Sequence, residues 1–428
     1  MTHSIFYLLV LLLPLNLGKH WIFPFSYVRG SLVDYLIPTF YLTDGLLVLL
    51  ATKTTPGVEK ALATGFRRPL TRCWDLVFLG LFLALSLVSA LSSPLPLLAV
   101  TKWGRLLLLV LFYVYLRHNF KVSRMFSRLL LVLVLGAVGE SLLAIAQWWR
   151  QESIFGYLPF GGPVWRAGQY GLAEVAWRGA LKVRAYGTFP HPNALAGYLV
   201  VVILWFSHWW LSQKQVWLEK RAWFVGGGLA LLLLIVGLGL TFSRSGWLAL
   251  LLGWWWLAWG WILAKRKRIL AWLWPMFLAL LLFFSGRYWL TQKSSLSWQR
   301  RDQLVASSVR MLRDHPLWGV GTGLFTLKSE AYGQSRWPRW LQPVHNVFLL
   351  VAVENGLPAG LALISLLIFL AIKLGRRRGA LFWPLSGALL VLIGLGLGDH
   401  YWLTLPQTSL LFWLTLGLIA AYTKEAIL

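Results

Sequence analysis

Apolar residues fill this chain in long blocks, and polar residues gather between the blocks instead of alternating within them. Blocks near the roughly 20 residues needed to cross a bilayer predict twelve helical spans. They fall at 4–25, 33–51, 74–92, 96–116, 126–148, 192–211, 223–241, 246–264, 269–286, 345–372, 380–398 and 407–422. One segment departs from the pattern. In SWQRRDQLVASSVRMLRDHP, Trp298, Val305, Val309 and Leu312 recur at helical spacing, which predicts an amphipathic helix stopped by Pro316. A glycine-rich turn, GVGTG, follows it.

Composition agrees with the span count. The chain is 58% hydrophobic and 13% charged, with mean hydropathy +0.67; a soluble domain carries about twice that charged share. The expected fold is an all-α polytopic membrane protein, a single integral membrane domain over 1–428. The one cysteine, Cys73, excludes an internal disulfide and a cysteine-based metal cluster. The N-terminus shows neither a basic leader nor a small-residue cleavage site, so the first apolar run is expected to remain as a helix.

Charge then orients the spans. Lys and Arg total 40 against 14 Asp and Glu, a net charge of +26. Five basic connectors (53–72, 117–124, 213–221, 265–268 and 373–378) share one side if both termini are cytoplasmic, as the positive-inside bias requires. Lys19 and Arg29 fit this poorly, because they follow the first span on the outer side. Two long connectors, 149–191 and 287–344, are then extracytoplasmic loops, yet they are rich in cations. Long loops are exempt from the bias, so this is either tolerated surface charge or an anion site.

Three helices of the outward-facing set begin at unusual polar groups: RAYGTFPHPN at 184–193, TFSRSGW at 241–247, and QPVHNVFLLVAVENG at 342–356. Helix N-termini present free N–H groups and suit phosphate. Arg184, Arg244 and Arg310 could add bidentate donors. Each residue also has a plainer reading. Arg310 could pair with Asp314 one turn on, Arg244 could extend to lipid headgroups, His345 could be a cap, and His191 and Asn193 could be turn residues between prolines. Asp399 and His400 alone do not make a site. No D-x-D occurs, and the outer loops hold few carboxylates, none clustered with histidines at ligand spacing. No metal and no cofactor is therefore expected.

These segments resemble the O-antigen ligase and polymerase superfamily of bacterial membrane glycosyltransferases. Arg310 precedes Gly321 in RMLRDHPLWGVG, and His345-Asn346 precedes Gly356 in HNVFLLVAVENG. GTFPHPNALAGYL and TFSRSGWLALLLG also fit, whereas Ala359 departs from the pattern. The likeness is specific over about 184–360. It implies a GT-C-like fold of about twelve transmembrane helices, whose two long extracytoplasmic loops carry short amphipathic helices. The implied activity is inverting and metal-independent. A glycan leaves undecaprenyl pyrophosphate for an acceptor sugar hydroxyl at the outer face of the bacterial inner membrane, facing the periplasm or outside. A ligase would use a core sugar as acceptor, and a polymerase another lipid-linked repeat. Partners would be the lipid-linked donor, the glycan or lipid-linked acceptor and membrane lipids, with no nucleic acid. The resemblance assigns catalysis to His345, Arg310 and Arg244, and substrate binding to Arg184, His191, Asn193, Asn346 and Gly321. A transporter of lipid-linked sugars or small anions is the rival class, kept open by Glu140 and Glu354 within spans. A lipid-gripping scaffold is a third.

Overall fold

The computed structural model describes residues 2–52, 73–156, 160–213, 221–264, 296–333 and 341–425. The expected span at 269–286 and most of the basic connectors 53–72, 213–221 and 265–268 lie outside the described residues. The architecture is an all-α membrane bundle with three small antiparallel hairpins. Two short apolar helices come first, α1 (Thr2–Leu11) and α2 (Leu42–Thr52). They are followed by α3 (Trp74–Leu91), α4 (Pro96–Asn119), α5 (Val122–Arg150), α6 (Pro192–Ser212), α7 (Arg221–Leu240) and α8 (Arg244–Ala264). Then come α9 (Leu296–Asp314), α10 (Phe325–Ser329), α11 (Val347–Asn355), α12 (Leu357–Arg376), α13 (Phe382–Gly398), α14 (Tyr401–Thr404) and α15 (Pro406–Glu425). Among the described residues, α3 to α8 and α12 are long and apolar enough to cross a membrane.

Burial sorts these helices into layers. Helices α6 and α15 are buried on every face for most of their length and form the centre. By contrast α7 buries only Leu234, Gly237 and Leu238, so the rest of its apolar surface is left for lipid. Helix α15 packs on α4, α12 on α3, α8 on α13 and α5 on α7.

The structure corrects the N-terminal spans. The block at 4–25 yields only α1 and a turn, because Pro14, Asn16 and Gly18 interrupt it. The chain then forms β1 (Gly18–His20), β2 (Tyr27–Val28), β3 (Ser31–Leu32) and β4 (Thr39–Tyr41). The pairs are β1 with β4 and β2 with β3, both antiparallel. Lys19 and Arg29, misfits to the charge bias, lie in this hairpin segment; Arg29 forms an ion pair with Glu330 of the second long loop. Helix α2 begins only after Pro38 and β4, so the span at 33–51 is also shorter than expected. The first long loop carries a hairpin, β5 (Glu174–Trp177) and β6 (Ala180–Val183), where a short amphipathic helix was expected.

The block at 345–372 is two helices. Gly356, at φ +89°, breaks it into α11 and α12, and a Cβ there would strike the Leu317 carbonyl. The 316–321 turn enters the break: the Leu357 N–H donates to the Pro316 carbonyl at 2.8 Å and the Val320 N–H to the Val353 carbonyl at 2.9 Å. Helix α9 forms as expected but is rotated by about one residue, roughly 100°. Leu304, Ser307, Ser308 and Met311 are buried, whereas Val305 and Val309 are 44% and 40% exposed.

Two side chains of α5 fasten the segment before α6. The Gln147 side-chain oxygen accepts from the Tyr186 and Gly187 N–H groups at 3.0 and 2.8 Å, and its amide donates to the Gly187 carbonyl at 2.8 Å. Glu140 accepts from the Thr188 N–H at 2.9 Å and from the Thr188 hydroxyl at 2.8 Å. Both residues lie on one face of α5, seven apart. Glu140, which kept a carrier reading open, thus has structural partners, as does Glu354, which accepts from the Phe325 N–H at 3.3 Å.

Candidate functional site

At the end of the bundle where α4, α6, α11 and α15 begin, a cavity of about 630 Å³ is lined by residues from several separated stretches. Arg184, His191 and Asn193 come from the segment that leads into α6. Arg300 and Arg301 come from α9, His345 from the entry to α11, and Asp399 and His400 from the link between α13 and α14. The hairpin segment supplies His20, Asp34, Tyr35, Thr39 and Tyr41.

A hydrogen-bonded path runs along one wall. Arg184 Nε donates to the Thr241 carbonyl at 2.6 Å, and Nη2 donates to Asn193 Oδ1 at 2.7 Å. Asn193 Nδ2 donates to Asp399 Oδ2 at 3.3 Å, and the His400 backbone N–H donates to Asp399 Oδ1 at 2.8 Å. His191 caps α6, its Nδ1 accepting from the Asn193 N–H at 3.1 Å. The neutral His191 ring therefore carries its proton on Nε2.

Around Asp399 the histidines converge. One ligand-type atom each of His345, Asp399 and His400 lies within 4.8 Å of the others. The His345 and His400 rings are 5.1 Å apart. His400 Nδ1 lies 2.8 Å from the Thr404 hydroxyl, whereas His345 Nδ1 is buried with no hydrogen-bond partner among the described residues. This corrects the expectation that no carboxylate clusters with histidines; these three could hold a divalent ion as well as move a proton.

Burial decides the protonation of the group. It pushes His345 and His400 below the ordinary histidine value and His191 down to about 4, in each case against the opposing pull of Asp399. For Asp399 burial acts upward, but His400, His345, His191 and the His400 N–H outweigh it and hold the carboxyl below the usual range. Burial lowers Arg184 to about 10, which leaves it a cation at neutral pH. The cavity thus joins neutral imidazoles and a carboxylate to fixed guanidinium groups.

Four of the residues singled out in the sequence line this cavity: Arg184, His191, Asn193 and His345. The other four are placed around it. Arg244 is the first residue of α8 and acts electrostatically on Arg184. Arg310 lies on α9 beyond the cavity lining; its Nη2 donates to the Tyr332 carbonyl at 2.5 Å, and the Asp314 side chain bonds the Tyr332 hydroxyl. Asn346 caps α11, its Oδ1 accepting from the Leu349 N–H at 2.9 Å. Gly321, at φ +111°, donates its N–H to the Glu354 carbonyl at 3.1 Å in the turn that fills the helix break. Sequence reasoning missed Arg301 and the partnership of Asp399 and His400 with His345. The signal was present only as an acidic-histidine pair in LGDHYWL, with nothing to say which loop it faces.

Bundle and site together define a polytopic membrane protein with a basic, histidine-bearing cavity at one end. Residues 229–364 match the family model described as O-antigen ligase, and that match supports the O-antigen ligase superfamily, whose members are membrane glycosyltransferases of ligase or polymerase type. No curated protein matches the chain. The matched stretch includes Arg244, Arg310, Gly321, His345 and Asn346, whereas Arg184, His191, Asn193 and Asp399 lie outside it.

Proposed function

We propose that the cavity transfers a glycan from a polyprenyl diphosphate, of the undecaprenyl type, to an acceptor sugar hydroxyl with inversion at the anomeric carbon. The observation that carries this reading is the buried Nδ1 of His345, without a hydrogen-bond partner among the described residues, beside Asp399 and in the same cavity as Arg184 and Arg301. The acceptor O–H gives its proton to a ring nitrogen of His345 while its oxygen attacks the anomeric carbon. The bond from that carbon to the diphosphate oxygen breaks, and the lipid diphosphate leaves. The charge of Asp399, which acts on His345 across the cluster, stabilises the imidazolium as it forms. Arg184 and Arg301 meet the charge that grows on the leaving diphosphate, a role worth about 100-fold or more per donor when preorganised. Arg244 reinforces the field at Arg184, and His191 offers Nε2–H as a further donor.

Arg310 has two possible parts: direct grip on the diphosphate in the loaded enzyme, or anchoring of α9 through Tyr332. The reading puts the site at the extracytoplasmic face of the inner membrane, and the charge bias of the five basic connectors supports that side. Ligase and polymerase chemistry share this geometry. The test is transfer by purified full-length protein from an undecaprenyl-diphosphate oligosaccharide, with and without lipopolysaccharide core. His345→Ala should abolish transfer while the protein still inserts and accumulates; product at the wild-type rate would sink the assignment. A product ladder from donor alone marks a polymerase, and product only with core marks a ligase.

The His345, Asp399 and His400 cluster supports one second reading, a bound divalent ion that activates the acceptor. Loss of transfer on chelation, restored by added zinc or magnesium, would favour it over the base mechanism.

A further inference from the structure

The cavity has two unlike ends, and their charge differs. At the His345 end Arg184 and Arg301 face a single carboxylate among the described lining residues, Asp399. At the other end the lining carries one ammonium, Lys102, and one carboxylate, Asp34, among the hydroxyls and rings of Tyr35, Thr39 and Tyr41. An excess of guanidinium suits a diphosphate, whereas a balanced wall of hydroxyls, carboxylate and aromatic rings suits a neutral polyol.

The second end is built by the N-terminal hairpin. Strand alternation puts His20, Thr39 and Tyr41 near the cavity through the register Gly18↔Tyr41 and His20↔Thr39, while Lys19↔Phe40 belongs to the opposite face. His20 Nδ1 lies 2.9 Å from the Thr39 hydroxyl, and Arg105 sits over the Tyr41 ring at 4.5 Å, so these side chains are held in place. The ring of Tyr35 meets His400 edge-on at 5.7 Å, and His400 meets His345 at 5.1 Å. Tyr35 is thus one ring removed from His345 along this wall.

Resting on the transferase reading, we infer that the hairpin wall formed by His20, Asp34, Tyr35, Thr39 and Tyr41 is the acceptor-sugar subsite, and that it sets acceptor choice. Ring faces of Tyr35 and Tyr41 cover the apolar C–H face of a pyranose, and the Asp34 carboxylate accepts from vicinal hydroxyls.

Two measurements test this. In the transfer assay, Asp34→Asn and Tyr35→Ala should each raise the acceptor KM at least tenfold and leave the donor KM unchanged. A rise in donor KM, or no change in either constant, overturns the subsite. Binding of free core oligosaccharide and free repeat-unit oligosaccharide is then followed by saturation-transfer NMR on full-length His345→Ala protein, where no turnover intervenes. At least one should bind, and Asp34→Asn added to that protein should remove the signal; binding of neither, or a signal indifferent to Asp34, overturns the inference. Wild-type protein that transfers nothing yet binds saccharide through Asp34 would remove the transferase reading and leave the subsite standing.

Discussion

Two cation-bearing walls line the cavity, and they are held by different physics. The Arg184 wall is locked. Gln147 and Glu140 satisfy consecutive backbone groups at 186–188, and Nε and Nη2 of Arg184 are committed to Thr241 and Asn193. The Arg301 wall is α9, which rests on Leu304 and Met311 in a small satellite core with Val320, Phe325, Val344, Leu350 and Val353. Hydrogen bonds to buried backbone fix the first wall closely, whereas α9 is held by this apolar ledge and by the bonds of Ser307 and Arg310 to the Tyr332 carbonyl. On the proposed function, the diphosphate would meet a rigid floor at Arg184 and a less tightly held wall at Arg301.

The sharpest way to break this contrast is to remove the cations themselves. Arg184→Ala and Arg301→Ala should each lower transfer by about 100-fold or more, and Lys at either position should restore little, because a single ammonium cannot reproduce the fork. Arg310→Ala refines the picture: a loss as deep as that of Arg301→Ala would show that α9 shifts to bring Arg310 to the diphosphate, and a loss under tenfold would assign it to Tyr332. Rates in the purified transfer assay decide.

A smaller effect separates floor from ledge. Gln147→Ala leaves the Tyr186 and Gly187 N–H groups buried without their acceptor, at about 1–3 kcal/mol for each orphaned group. It should lower the melting temperature and the transfer rate together. Met311→Ala also costs about 2–5 kcal/mol if its site behaves like an ordinary core, but it loosens a satellite. Transfer should therefore fall more than global melting does. Equal behaviour of the two variants would erase the distinction between the walls.

The mildest test is pH. Burial keeps His345 and His191 neutral well below the ordinary histidine value of about 6.5. A base of lowered pKa works above that pKa and is lost only as pH falls through it. Transfer should thus stay level from neutral pH down to about 5, where an ordinary histidine would already be protonated. An acid limb centred near 6.5 would mean that the base is solvated or is another group.

How much of this was legible varied by region. The long spans from α3 to α8 could be read because lipid demands about 20 apolar residues in a row. The N-terminal hairpins could not: Trp21, Ile22, Phe23, Phe25 and Tyr27 supply enough apolar character to imitate a span, while Pro14, Gly18 and Pro24 supply the breaks. Gly356 hid for the converse reason, since glycine is common in membrane helices and only a positive φ marks it as a break. At the site, Arg184, His191, Asn193 and His345 were legible through their places at helix entrances. The rotation of α9 and the meeting of Asp399 with His345 were not, because both depend on which loops share a bundle end.

The hairpin's outward side has a consequence for reach. Trp21, Ile22, Tyr27, Leu32 and Phe40 are all exposed there, bulky apolar groups with two aromatic amphiphiles among them. Such a fringe belongs among lipid headgroups and moors the hairpin at that depth. On the proposed function, the chamber mouth would then sit close to the bilayer surface, and an incoming saccharide would have to bend down toward the membrane.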